Sequence, residues 1–372
     1  MEKWDVHTHT TLSPDTFAAL EKYAHYADFI RVRKHASKPC CAVMVNARGD
    51  VQREVEENAY DGAARIRDCD RYGVTVQVLS PTPMMIPDYV DNGDDAEDIC
   101  RVLNDDNAAT MARFPDRFRA LAALPMAFPD RAIREMERVR RDHGMPGIEI
   151  NSNIDGRDLD DDALFPVFEA AERLGMAVFI HPWGGFMAPA DPKLKPRMNL
   201  NRNWRPWLIG MGMETAIAFD SMRSGRVHER LPGLRVMYAH GGGAFPALLG
   251  RLEHGAYCRP DLFKDPQQLN PFDVVRKCGV YADTLVHNPA MLKALIEILG
   301  VERVAMGSDY PYPLGEMDCF DPVTRTNLYG YACPYPEPKG VYPGYDVERL
   351  AISKEDKLRL LSGTAKEWLG SA

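Results

Sequence analysis

A (β/α)8 barrel, an α/β fold of eight parallel strands ringed by helices, is the fold class the sequence predicts, and three observations predict it. Eight short apolar runs recur along the chain, mostly separated by helix-length segments. Gly73, Gly144 and Gly175 stand where three of the helical stretches must stop before the next run begins. Histidines and an aspartate fall at the carboxyl ends of separate runs, the end at which such barrels carry their functional residues. The 372 residues suit one barrel with insertions, expected as a single domain over residues 1–372. A doubly wound sheet is the alternative class, but no GxGxxG turn follows the first run.

Taken in order, Trp4-Asp5-Val6-His7-Thr8-His9 reads as the first strand. Alternate residues of a strand share a face, so His7 and His9 converge on one point. The spacing predicts a helix over 14–30. Residues 31–58 read as a small insertion over the barrel mouth, with Cys41 to Val45 and Val51 to Val55 as a hairpin turned at Arg48-Gly49-Asp50. Strands are then expected at 74–79, 119–124, 147–151, 177–181, 234–239, 280–284 and 304–309. Helices are expected at 61–71, 95–113, 130–143, 161–174 and 211–224. Gly184 to Arg205 reads as a long loop, Cys319 to Tyr345 as an extended tail rich in Pro, Tyr and Gly, and two helices close the chain at 353–361 and 365–369.

A formal net charge of −9 argues against a generic nucleic-acid binder. With no secretory signal, no apolar run near the roughly 18 residues that span a bilayer, and no CxxC among eight cysteines, a cytoplasmic protein with reduced thiols and no membrane association is expected.

The strand ends carry the chemistry. His7 and His9 end the first strand, His181 the fifth, His240 follows the sixth and Asp309 ends the eighth. One histidine at a strand end is more often structural than a ligand. Four with an aspartate, spread over four strands, make that explanation poor. His7, His9, His181 and Asp309 suit one zinc ion with a position left for water, and Mn or Co would suit similar ligands. The fourth strand, Gly147-Ile148-Glu149-Ile150-Asn151, lacks the lysine that a carbamate-bridged pair of metals would need, so a single metal is expected, although Glu149 could point inward. With those four positions filled, His240 is expected beside the water as a general base. Gly241-Gly242-Gly243 after it reads equally as backbone passing close to substrate or as a flexible turn.

These residues resemble the amidohydrolase superfamily, and within it the decarboxylase branch typified by 2-amino-3-carboxymuconate-6-semialdehyde decarboxylase. The matching stretches are Asp5-Val6-His7-Thr8-His9, His181-Pro182-Trp183, His240-Gly241-Gly242-Gly243-Ala244-Phe245-Pro246 and Gly307-Ser308-Asp309-Tyr310-Pro311-Tyr312-Pro313, with Asp61, Arg65-Ile66-Arg67 and Pro206-Trp207-Leu208 in further agreement. The resemblance implies zinc on His7, His9, His181 and Asp309, and an acid/base at His240. It also implies two arginines for a small-molecule carboxylic acid: Arg53, and Arg251 reaching into the site of a second copy, hence a homodimer. Guanidinium pairs bidentately with carboxylate, which is why arginine is wanted there. Two departures stand out. Trp183 is followed by Gly184-Gly185 where the branch commonly has Asp, and the loop beyond is long and basic, with Lys193, Lys195, Arg197, Arg202 and Arg205. The expected activity is a metal-dependent, non-oxidative decarboxylation of an unsaturated or aromatic acid. The alternatives are a hydrolase or hydratase of the same superfamily, or a barrel that binds without catalysis.

Overall fold

The computed structural model describes residues 1–39, 41–185, 203–263, 265, 268–317, 325–326, 331–332 and 341–370. The chain opens with β1 (Trp4–Thr10) and leaves it for a small antiparallel sheet of β2 (Arg31–Lys34), β3 (Cys41–Val45) and β4 (Val51–Glu56). It then builds β5 (Val76–Pro81), β6 (Phe118–Ala123), β7 (Gly147–Asn151), β8 (Ala177–His181), β9 (Val236–Tyr238), β10 (Val280–Asp283) and β11 (Val304–Ala305). β1 and β5 to β11 lie side by side in that order, all parallel. Val6 N donates to Met306 O at 2.9 Å, Asp309 N to His7 O at 2.8 Å and His9 N to Tyr310 O at 2.7 Å, which joins the last strand region to the first and closes the barrel.

The helices between strands begin and end where local chemistry dictates. Asp61 caps Gly62–Tyr72 by accepting from Ala64 N, and Gly73 ends it at φ 70°. Asn92 caps Gly93–Arg113 in the same way. The strands are buried on both faces. Inside the barrel Trp4, Val6, Val78, Phe179, Met237 and Tyr281 pack together, and Trp368 of the last helix plugs the amino-terminal end. The opposite end is therefore the open one.

Three predicted elements differ. Over 14–30 the chain makes only a short helix, Pro14–Phe17, followed by a 3-10 helix, Ala18–Tyr23. The buried side chains there, Phe17, Leu20 and Tyr23, recur in steps of three, a spacing that stacks on a 3-10 helix and drifts around an α-helix. Arg31 to Lys34 adds a third strand to the hairpin. The eighth barrel strand pairs only over Val304–Ala305, because Met306 N donates to Leu360 O and Ser308 N to the Asp5 carboxylate instead of to a neighbouring strand. Lys193, Lys195, Arg197 and Arg202 of the basic loop, and most of the tail from Cys319, lie outside the described residues. No helix among the described residues is long and apolar enough to cross a membrane.

Arg65 ties helix to barrel. Its buried guanidinium donates to His9 O at 2.8 Å, Thr8 Oγ1 at 2.9 Å, Gln77 Oε1 at 3.1 Å and Asn58 O at 3.2 Å, and lies over the Tyr310 ring. Arg65→Met strips these buried acceptors of their donor and should cost roughly 2–4 kcal/mol. Urea unfolding checks this, and an unchanged midpoint would refute it.

Candidate metal centre and its two openings

The open end of the barrel gathers His7 and His9 from β1, His181 from β8, His240 from the turn after β9 and Asp309 from beyond β11. His7 Nδ1 donates to Asp283 Oδ2 at 2.7 Å. A carboxylate only accepts, so that contact fixes the tautomer and leaves the Nε2 lone pair facing the centre. His181 faces the backbone in the same sense, with Nδ1 3.1 Å from Pro182 O, and its Nε2 is buried without a partner. His9 Nε2 lies 3.2 Å from His7 Nε2 and 3.1 Å from Asp309 Oδ1. His7 Nε2 is 3.6 Å from that same oxygen. One ligand atom from each of His7, His181, His240 and Asp309 also falls within 4.8 Å of the others.

These residues fit a divalent metal. Nitrogen and oxygen ligands at about 2 Å around one tetrahedral cation stand about 3.3 Å apart, close to the 3.1, 3.2 and 3.6 Å found among His7, His9 and Asp309. Electrostatics agree. Burial holds His9 down to about 4 and His181 well below its ordinary value, so both are neutral, the form that binds metal. Burial opposes the charge on His7, but Asp283, with Asp309 and Asp5, outweighs it and raises the pKa. For Asp309 burial is likewise outweighed, by His240 and His9, and its carboxyl sits well below the usual carboxylate range.

His240 differs from the other imidazoles. Its side chain is 18% exposed, whereas those of His7 and His9 are at most 1% exposed. It adopts φ 57°, and Asp309 φ 59°, a left-handed backbone that non-glycine residues hold only when their surroundings impose it. Asp283 imposes it at His240: its Oδ2 accepts from His240 N at 2.9 Å and its Oδ1 from Gly241 N at 2.7 Å. The glycines that follow are needed by packing. A Cβ on Gly241 would stand 2.2 Å from Val286 Cγ1, and one on Gly243 2.4 Å from Gly212 O.

Two openings meet at Asp309. A narrow cleft is lined by His9, Arg53, Thr82, Trp183, Trp204 and Tyr312. Arg53 reaches it from β4 and lies 4.2 Å over the Tyr312 ring, a cation–π contact that fixes the guanidinium. Tyr312 in turn stacks on His9 and shares a 2.5 Å hydrogen bond with Thr82 Oγ1. On the other side an apolar groove, open to solvent, is lined by His240, Trp207, Met213, Val286 and Met291. Gly241 and Gly243 line it too, so the glycine run both packs and borders the opening.

Thus the barrel and the small sheet beside it bring six of the seven predicted residues together. Arg251 is the exception: it is exposed on the helix Phe245–Cys258 and lines neither opening. Sequence reasoning missed Asp283, Tyr312 and Trp204. Asp283 carried a usable signal, a carboxylate at the carboxyl end of the seventh predicted strand just as Asp309 ends the eighth.

The family model described as "Amidohydrolase" matches residues 4–371. The chain is 37% identical over 369 residues to 2-amino-3-carboxymuconate-6-semialdehyde decarboxylase of Dictyostelium discoideum, covering 99% of this chain and 91% of that one. It is 30% identical over 364 residues to the protein of that name in Caenorhabditis elegans, covering 85% and 87%. Among solved structures, 5-carboxyvanillate decarboxylase of Novosphingobium aromaticivorans, complexed with manganese and a nitrobenzoic acid, superimposes with a TM-score of 0.75 over 99% of this chain and 96% of that one at 20% identity, a likeness of fold.

Beside the centre, Asp88 is buried with Oδ1 unpartnered and Oδ2 accepting from Asn151 Nδ2 at 2.8 Å. Burial pushes its carboxyl up to about 7. The native state therefore favours the protonated form: its ionisation costs nothing below about pH 4, where the unfolded chain is protonated too, and reaches its full cost above about pH 7, up to about 4 kcal/mol. Asp88→Asn should accordingly be more stable than the parent at pH 8 and no more stable at pH 4. Urea midpoints at both values check this, and an equal difference at both would refute it.

Proposed function

This chain belongs to the amidohydrolase family, in its branch of metal-dependent, non-oxidative decarboxylases, and we propose that it acts in the cytoplasm on 2-amino-3-carboxymuconate-6-semialdehyde or a closely similar unsaturated or aromatic acid, as in tryptophan-type aromatic catabolism. The metal in this proposal is zinc, held by His7, His9, His181 and Asp309. One observation carries the reading: Arg53 shares a single aromatic-walled cleft with His9, His181 and Asp309. That arrangement suits a flat carboxylic acid, with its carboxylate on the guanidinium and its plane between Tyr312 and the tryptophans.

A divalent cation at this centre supplies Lewis acidity next to the substrate. The residues do the rest. Loss of CO2 from an sp2 carbon would leave an unfavourable carbanion, so that carbon must first be protonated. His240 Nε2, 3.9 Å from Asp309 Oδ2 and facing the open groove, is the atom that carries the proton. The proton bonds to carbon, the bond to the carboxylate carbon breaks, its electron pair restores the conjugated system, and CO2 leaves. His240 regains a proton from solvent. Arg53 keeps the carboxylate oriented throughout.

Arg251 enters through a homodimer. Tyr257 on its own helix is 83% exposed, and Ile209, Met213 and Ile217 are exposed in steps of four on the neighbouring helical segment, an apolar face of the kind that pairs with a second copy. Arg251 is exposed on the same helix as Tyr257 and would, in that dimer, meet the substrate of the partner subunit.

Two experiments test this reading. His240→Ala should lose roughly 10²–10⁴-fold in kcat with its metal content intact, measured as CO2 release from carboxymuconate semialdehyde generated in situ and from hydroxybenzoates; normal turnover, or ring opening without CO2, would sink the mechanism. Mixing inactive Arg251→Ala and His240→Ala chains should restore activity, because each mixed dimer then holds one complete site. An active wild-type monomer by light scattering, or a mixture that stays inactive, would remove Arg251 from the site.

A further inference from the structure

The three buried imidazoles of the centre are not equally supported. His7 has the Asp283 carboxylate 2.7 Å behind Nδ1, and His181 has the Pro182 carbonyl 3.1 Å behind its own. His9 Nδ1 is buried with no partner. When His9 binds a cation through Nε2, its one ring proton must sit on Nδ1, and a buried donor without an acceptor is costly.

An acceptor stands on the fourth barrel strand, on the Nδ1 side of His9. Glu149 of β7 is wholly buried, and neither of its carboxyl oxygens is in hydrogen-bond geometry, although the Ser80 hydroxyl lies close enough to favour its ionised form. Its Oε1 stands 4.0 Å from His9 Nδ1. A buried carboxyl with both oxygens unmet is unusual enough to need a reason. The imidazole that stands beside it, that of His9, itself lacks an acceptor at Nδ1.

We propose that Glu149 is a positioning residue for His9, accepting the Nδ1 proton once the centre is loaded and so aiming the Nε2 lone pair at the cation. This rests on the metal centre proposed above. A movement of about 1 Å brings the pair from 4.0 Å into hydrogen-bond range. Either ionisation state of Glu149 leaves an oxygen lone pair to accept, so the contact does not depend on its charge. The residue does not ligate the cation. It stands behind His9, on the Nδ1 side, while the convergent ligand atoms lie on the Nε2 side.

The test compares wild type with Glu149→Gln, which keeps an acceptor, and Glu149→Met, which removes it while keeping volume. Each folded protein is stripped of metal and titrated with Zn(II), and its Co(II) form is examined by visible absorption. The expectation is one cation per chain throughout, with near wild-type affinity and spectrum for Glu149→Gln and roughly 10–100-fold weaker binding with a shifted spectrum for Glu149→Met. Equal affinity and spectrum in all three would overturn the role of Glu149 and leave the metal centre standing. A second equivalent of cation that disappears with Glu149→Gln would also overturn it, by making Glu149 a ligand. A wild type that binds no cation would instead defeat the metal reading itself.

Discussion

One buried carboxylate, Asp283, organises the open end of the barrel. Its two oxygens accept from the His7 ring, the backbone of His240 and Gly241, and Leu285 N at 3.0 Å. A lone carboxylate in a fully buried position would be expelled from its charged form. Here four donors hold it, and despite burial its pKa lies below the ordinary value. The same atoms that satisfy Asp283 thereby set the direction of His7 and the left-handed turn at His240. Two imidazoles that come from different strands, His7 and His240, are thus fixed by one residue on a third.

The barrel was legible because burial on both faces leaves a strong mark. β5 to β8 are near-continuous apolar runs, and the glycine stops gave the helix ends. The failures have local causes. Phe17, Leu20 and Tyr23 repeat in steps of three, which resembles helical periodicity over so short a stretch but serves a 3-10 helix. β11 is short because Asp5 and Leu360 take the donors that a longer strand would use along its ladder. Neither competitor is visible from the run Val304 to Asp309 alone.

The centre was readable in part for a similar reason. His7-Thr8-His9 announces itself, since alternate histidines on a strand have few structural uses. Asp283 and Tyr312 do not, because their value lies in what they touch: a ring nitrogen some 276 positions away for one, and Arg53 and Thr82 for the other. Arg53 could be found only through resemblance, because an arginine on a mixed polar strand such as Val51 to Glu56 looks like solvent-facing charge.

The origin of Arg53 separates two jobs. Every other convergent group is anchored in the barrel frame, but Arg53 comes from the small sheet β2 to β4, whose hydrogen-bond ladder is its own and whose apolar side packs with Phe17, Leu20, Tyr23 and Phe29. On the proposed reading, sequence drift in that appendage can change which acids are admitted while the groups anchored in the barrel stay fixed. Such a division lets a lineage diversify its substrates by editing about 25 residues rather than by rebuilding a barrel.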